Sequence, residues 1–299
     1  RTLAAAEKIT RKLENAEARE LDIEKPSGVT LLEELVPQVD AVLSLLPYIY
    51  HAVAAECALK NKKHFFTTSY VSDAMRKVAE TYKDAGVVIL NECGVDPGTD
   101  HMSAKRIIDS VHQKGGKIIS FTSYCGGLPA PDANDNPFGY KLSWAPRGVL
   151  LASRNSATFL KNGELVTIPG EVLFDNYSVE EIPSLGKFEA YPNRNSTQYI
   201  EIYGIPETKT IIRGTYRNVG WCPTIKKLAE LGYLGLDPQD FSGLTYAQAA
   251  SRLLNVDPNT TSENLVKAAA DKLGLPSDDF RVKNMEWLGL FSNNKIPAN

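Results

Sequence analysis

The sequence lacks the marks of a metal, membrane or nucleic-acid protein. Its four cysteines, Cys57, Cys93, Cys125 and Cys222, form no C-x-x-C pair and have no histidine at metal-ligand spacing, which argues against a structural zinc site. Lys and Arg (33) do not outnumber Asp and Glu (36), and the net charge of −3 supplies no basic field for nucleic acid or an anionic membrane surface. No apolar run approaches the roughly 20 residues needed to span a bilayer, and nothing resembles a secretory signal. The dinucleotide fingerprint G-x-G-x-x-G occurs nowhere, and there are no internal repeats or low-complexity tracts. What remains is a chain suited to a reducing intracellular compartment, with a small molecule as its partner. At 299 residues, 43% hydrophobic and 23% charged, it has room for two domains with cores of their own.

Along the chain, apolar runs alternate with helical patterns. Residues 2–17 are rich in helix formers, and the run ARELDI, ending at Asp22 and Ile23, alternates like a strand edge. A helix over 30–35 precedes the buried-strand run AVLSLLP (41–47). The helix HAVAAECALKNK, the run HFFTTSY (64–70), a helix over 73–84 and the run VVILNE (87–92) follow. Strands separated by helices of this length call for right-handed crossovers and a parallel sheet, here doubly wound α/β. Ligands of such sheets bind beyond the carboxyl ends of the strands, which gathers residues 44–48, 67–70 and 91–96 around one crevice. Beyond Pro97 a helix over 99–113 leads to the strand KIISFTSYCGG. Short strand-like runs (GVLLAS, ELVTIPG, TIIRGTYR) then suggest a mixed sheet over 117–217, and four helical patterns fill 223–291. The expected organisation is a partial dinucleotide-binding domain (1–97), an α+β substrate-binding domain (98–222) and a helical subdomain (223–299). The chain opens at Arg1 on a helical pattern with no strand before it, so a fragment is expected.

Several segments carry chemistry. Arg1 and Thr2 stand directly before a helix, where an arginine can pair with the 2′-phosphate of a dinucleotide; a frayed terminus is the plainer alternative. Residues 91–101 (NECGVDPGTDH) crowd turn formers, carboxylates and an imidazole at a strand end, with Asp96 the foremost candidate. Thr99 and Asp100 can instead cap the next helix, and His101 can be an ordinary helix-face histidine. Cys125 ends a strand beside Gly126 and Gly127, whose lack of side chains permits close backbone approach to a ligand. Packed as a small hydrophobe it is structural; with His101 and Asp96 it could form a nucleophile arrangement. The clusters around Arg194 and around Arg213 and Arg217 suit bidentate capture of carboxylates, so a polycarboxylate substrate is favoured.

Six of these segments, TTSYVS (67–72), NECGVDPGTDHM (91–102), SFTSYCGGLPAP (120–131), YKLSW (140–144), YPNRNST (191–197) and IIRGTYR (211–217), resemble the glutamate-forming saccharopine dehydrogenases. The corresponding domain of bifunctional lysine-degrading enzymes is similar too. The resemblance runs over nearly the whole chain and implies a Rossmann-like sheet lacking its first strand-helix unit, beside an α+β substrate domain with a helical insert. It implies NADP as cofactor. Arg1 and Thr2 would meet the 2′-phosphate, Asp22 and Ile23 the adenine side, and Ser44, Leu46, Thr67, Val95, Asp96 and Pro97 the route to the nicotinamide. Saccharopine would meet Ser69, Tyr70, Asp96, Arg194, Gly214, Thr215 and Tyr216. The family's usual YPNRDS and RGTLR are departed from at Asn195 and Tyr216.

The implied reaction interconverts saccharopine with L-glutamate and 2-aminoadipate 6-semialdehyde, with Asp96, Cys125 and Tyr70 relaying protons and no metal required. Lysine biosynthesis by a cytoplasmic homodimer is the expected setting. The degradative bifunctional enzyme, a binding fragment without turnover and a Cys125 hydrolase are the alternatives.

Overall fold

A strand that must return parallel to itself needs a crossover long enough to hold a helix, and the first hundred residues supply two such crossovers. The computed structural model describes residues 2–142 and 146–297, in two units, Arg1–Asp109 and Ser110–Asn299. In the first unit, α1 (Leu3–Thr10) and α2 (Pro26–Leu35) precede β1 (Ala41–Ser44), α3 (His51–Lys60), β2 (His64–Thr67), α4 (Asp73–Tyr82), β3 (Ile89–Leu90) and the start of α5 (Thr99–Gln113). The three strands pair in parallel in the order β1-β2-β3.

Register decides which face is buried. Val42, Phe65 and Ile89 align in one row, against Ala54, Ala55 and Ala58 of α3 and Met75, Val78 and Tyr82 of α4. Fully burying a side chain such as Phe65 contributes about 2 kcal/mol, and the alanines let α3 lie close to the sheet. Tyr82 donates to the Ala55 carbonyl (2.8 Å), and Ser72 caps α4 by accepting from Met75 N. Sequential strand order with right-handed crossovers puts α3 and α4 on the same face. Leu43 and Leu90, in the next row, are exposed.

Two local expectations fail here. The helix expected over 2–17 stops at Thr10: α1 buries no residue, and propensity alone does not sustain a helix of this length. ARELDI forms no strand. Asp22 instead binds Glu24 N (3.2 Å) and the Lys25 ammonium (3.0 Å), and a Cβ on Gly28 would come within 1.9 Å of the Asp22 carbonyl oxygen. The segment is folded as a turn against the start of α2.

The second unit is built on β4 (Ser120–Cys125), α6 (Pro146–Leu151), β5 (Ala157–Lys161), β6 (Glu164–Ile168), β7 (Ser178–Ile182), β8 (Gly186–Pro192), α7 (Tyr199–Tyr203) and β9 (Thr210–Asn218). The helices α8 (Trp221–Glu230), α9 (Tyr246–Leu254), α10 (Ser262–Leu273) and α11 (Phe280–Trp287) follow. The sheet runs β6-β5-β9-β8-β7, with β4 parallel to β9, so the expected mixed sheet is present. GVLLAS, expected as a strand, is helical because Pro146 presets the backbone of a first helical turn. The helices beyond residue 222 share one core with the sheet: Phe159 and Tyr191 belong to the same cluster as Trp221, Leu265 and Met285. The first unit, a parallel sheet joined by helical crossovers, is the Rossmann-like α/β part of the chain, and the second unit carries a mixed sheet with helices.

Two carboxylates, one of them buried, fasten this unit. Glu189 on β8 is fully buried and accepts from Gly220 N and Cys222 N, both at 2.7 Å, placing negative charge at the N-terminus of α8. Burial, with Glu189 nearby, pushes the Cys222 thiol well above its usual range. Glu207 accepts from Ile118 N (3.0 Å) and His112 Nε2 (2.7 Å), which holds its carboxyl down at about 2. Replacing Glu189 with Ala strands two buried amide donors and should cost about 3 kcal/mol in urea unfolding of this unit; an unchanged unfolding midpoint would contradict the capping role.

Candidate functional site

Parallel pairing brings the carboxyl ends of β1, β2 and β3 to one edge, and the polar candidates of the first unit collect there. At the end of β1, Ser44 is buried and its Oγ lies 2.8 Å from Nδ1 of His51, the first residue of α3. At the end of β2, Ser69 Oγ lies 2.8 Å and Thr67 Oγ1 3.2 Å from Nε2 of the same ring. Burial depresses the His51 pKa, and the positive end of α3 acts in the same direction. The imidazole is neutral, one nitrogen donating and the other accepting. The sequence reading missed His51. The signal it offered was a histidine opening a helix just after a strand end.

The chain leaving β3 forms a tight loop. Gly94 N donates to the Pro97 carbonyl (3.0 Å), and a Cβ on Gly98, whose φ is +148°, would lie 2.2 Å from the Gly94 oxygen. Only glycine fits there. The loop presents Val95, 73% exposed, and Asp96, joined to Pro97 by a cis peptide. Tyr70 donates a short hydrogen bond to Asp96 Oδ1. Asp100 accepts from Gly98 N (2.7 Å), and the Thr99 hydroxyl donates to the Gly94 carbonyl (3.3 Å), so both brace the loop. His101 lies with two carboxylates, 3.4 Å from Glu92 Oε2 and 3.9 Å from Asp100 Oδ2. Glu92, within the segment singled out from the sequence, accepts from Val71 N (3.0 Å) and so ties the β3 exit to the segment after β2.

The remaining cofactor candidates are scattered along the unit. Thr2 is exposed at the N-terminus of α1 and its side chain makes no capping bond. Arg1 lies outside the described residues, as do Ser143 and Trp144 of the YKLSW segment. The Lys25 hydrogen bond holds the Asp22 carboxyl below its usual range, Ile23 is half-buried, and Leu46 packs against the sheet core.

In the second unit, strand alternation sorts the candidates by face. Cys125 is in register with Thr215, and Thr215 with Tyr191, so these three side chains share one face with Arg213 and Arg217. Arg213 stacks on Tyr199 (4.3 Å), and Arg217 lies over Tyr140 (5.0 Å) and Trp221 (5.5 Å). Burial pushes Tyr191 up to about 12. Gly214 and Tyr216 belong to the opposite face. Tyr216 donates to Glu180 (2.7 Å) and lies against Tyr124, whose ring would sit 2.3 Å from a Cβ on Gly214. A ligand on the Cys125 face can therefore meet Gly214 and Tyr216 only through their backbone. Arg194 is held in the left-handed region (φ 53°) with its carbonyl accepting from Thr158 N (2.8 Å). Its guanidinium is exposed and has no ion-pair partner among the described residues. Asn195 accepts from Thr197 N (2.9 Å) and its hydroxyl (2.7 Å), closing the turn.

Residues 1–90 match the family described as the saccharopine dehydrogenase NADP binding domain, and residues 94–298 that described as the saccharopine dehydrogenase C-terminal domain. The chain is 40% identical over 301 residues to saccharopine dehydrogenase (NADP+, L-glutamate-forming) of Pyricularia oryzae, covering 99% of this chain and 66% of that protein. To the protein of the same description in Saccharomyces cerevisiae it is 39% identical, again over 99% of this chain and 66% of the relative. Similarity extends to the mitochondrial alpha-aminoadipic semialdehyde synthase of Bos taurus, 38% identical over 89% of this chain and 29% of that protein. The structure of apo histidine-tagged saccharopine dehydrogenase (L-Glu forming) from S. cerevisiae matches with a TM-score of 0.83 and 38% identity, over 99% of this chain and 66% of that one. The chain thus spans just under two thirds of the length of these two fungal relatives.

The four thiols differ sharply in setting. Cys93 is exposed, Cys125 half-buried, and Cys57 and Cys222 are buried with thiol pKa values raised by desolvation. A thiol-disulfide reagent under native conditions should label Cys93 first and reach Cys57 and Cys222 only on unfolding. Four thiols reacting at one rapid rate would contradict this placement.

Proposed function

The chain belongs to the saccharopine dehydrogenase family of NADP-dependent oxidoreductases, and from that premise we propose that it interconverts saccharopine with L-glutamate and 2-aminoadipate 6-semialdehyde. The observation that carries the reading is the Tyr70–Asp96 hydrogen bond at the carboxyl edge of the parallel sheet. That edge suits a nicotinamide dinucleotide. It offers the Ser44 hydroxyl, the backbone after Thr67, the apolar Leu46 and Val95, and a glycine-pinned loop through Pro97 whose backbone lies open to close approach. Thr2, with Arg1, would hold the 2′-phosphate, and Asp22 and Ile23 the adenine side. Bound NADP(H) supplies the hydride chemistry at the carbon of the secondary amine.

The chain's own residues bind and move protons. Tyr70 and Asp96 form one hydrogen-bonded pair, able to take a proton at Asp96 Oδ1 and return it through the phenol as amine, carbinolamine and imine interconvert. Arg194, which has no carboxylate partner among the described residues, is set to receive one from the substrate in a fork geometry. Thr215 and Cys125 line the same sheet face, with Gly214 and Tyr216 contributing backbone, and Ser69 completes the polar edge near Tyr70. In this reading Cys125 tunes and relays rather than forming a covalent bond, since the substrate amine is itself the reacting group.

Lysine biosynthesis by a cytoplasmic homodimer extends the proposal. It draws support from the fungal saccharopine dehydrogenases, which match 99% of this chain; the semialdehyde synthases of Bos taurus and Arabidopsis thaliana, which match 89% and 96% of it, stand for the second, degradative reading. In the full-length gene product, glutamate and the semialdehyde should drive NADPH oxidation, read by absorbance. Asp96→Asn should lower kcat/KM about a hundredfold. A product that consumes no NADPH with these substrates would refute the assignment.

A further inference from the structure

One buried ring at the candidate site, His51, meets three hydroxyls, and the proposed reaction does not use it. His51 contacts Ser44 Oγ through Nδ1, and Ser69 Oγ and Thr67 Oγ1 through Nε2. We propose that His51 is a positioning residue: as the Nδ1–H tautomer it orients two serine hydroxyls so that Ser44 donates outward and Ser69 accepts outward.

Thr67 selects the tautomer. Its side chain is fully buried and its oxygen already accepts from Ser69 N (3.3 Å). Among the described residues, the acceptor within reach of its own proton is His51 Nε2, at 3.2 Å. A proton on Nε2 would strand the buried Thr67 hydroxyl hydrogen, at the cost of an unmade bond in a low-dielectric interior. Nε2 therefore carries the lone pair, shared by the Thr67 and Ser69 hydroxyls, and Nδ1 carries the hydrogen. Ser44 Oγ must then accept from Nδ1–H, which frees the Ser44 proton for an acceptor such as a carboxamide or phosphate oxygen. The Ser69 proton is directed to the ring, which leaves the Ser69 lone pairs for a donor such as the substrate ammonium or amine N–H. A rotatable hydroxyl that is held in one orientation before the ligand arrives has less freedom to lose on binding.

The proposal rests on the reading of this edge as the cofactor and substrate edge, but its test does not depend on turnover. In the full-length gene product with nitrogen-labelled histidine, the His51 ring is identified by the signal that disappears in His51→Asn and shifts in Ser44→Ala. Its nitrogen shifts at neutral pH should be those of a neutral Nδ1–H imidazole. An Nε2–H tautomer or an imidazolium overturns the assignment. In steady-state assays, His51→Phe keeps the bulk but loses all three hydroxyl contacts, and should raise KM for NADPH about tenfold. His51→Asn, which restores an N–H towards Ser44, should recover most of that loss. Equal KM values for all three proteins overturn the positioning role, as does a His51→Asn no better than His51→Phe. A wild-type product without activity bears on the proposed reaction alone, and the ring signal then decides the role of His51.

Discussion

Parallel pairing of β1 with β2 and of β2 with β3 constrains everything at the polar edge of the first unit. A parallel ladder points all three strands the same way, so their last residues converge whatever their separation in sequence. Ser44 is thereby brought within reach of a ring that also meets Thr67 and Ser69, and the chain leaving β3 closes its glycine-pinned loop beside them. The row Val42, Phe65 and Ile89, packed against α3 and α4 around the buried Phe65, sets the register that produces this convergence. A slip of one residue would turn that row to the exposed face and move the strand-end hydroxyls with it.

The second unit solves a different problem with the same geometry. Its long strand β9 is paired with β4 on one side and β8 on the other around Gly214 and Thr215, so alternation alone assigns each side chain to a face. Thr215, Cys125 and Tyr191 fall together, over a core that includes the helices α8 to α11. Gly214 is required by the Tyr124 ring that lies across it, a packing demand independent of any ligand. Glu189 links sheet and helices by capping α8 from β8, where a buried carboxylate without two amide donors would be untenable.

How much of this was legible in the sequence depends on distance along the chain. Period-two runs such as TIIRGTYR and helical runs such as TYAQAASRLLNV announce themselves because their physics is local. The loop of Asp96 was legible because proline and glycines mark it, and the turn at Arg194 because its neighbours are turn formers. His51 was not. Its partners lie 7, 16 and 18 residues away and meet it only once the strands have paired. The opposite facing of Thr215 and Tyr216 was implicit in alternation, but which face held Cys125 required the β4–β9 register. ARELDI and GVLLAS misled for a related reason: a strand pattern counts only where a neighbouring strand is available to satisfy its backbone.

The central claim is that the carboxyl edge of β1, β2 and β3 is where the cofactor lies. Hydrogen-deuterium exchange of the full-length gene product, with and without NADPH, tests it most directly. The account predicts that amides of residues 44–48, 67–71 and 91–98 gain protection together on NADPH binding. Protection confined to other segments, with these three unchanged, would contradict it.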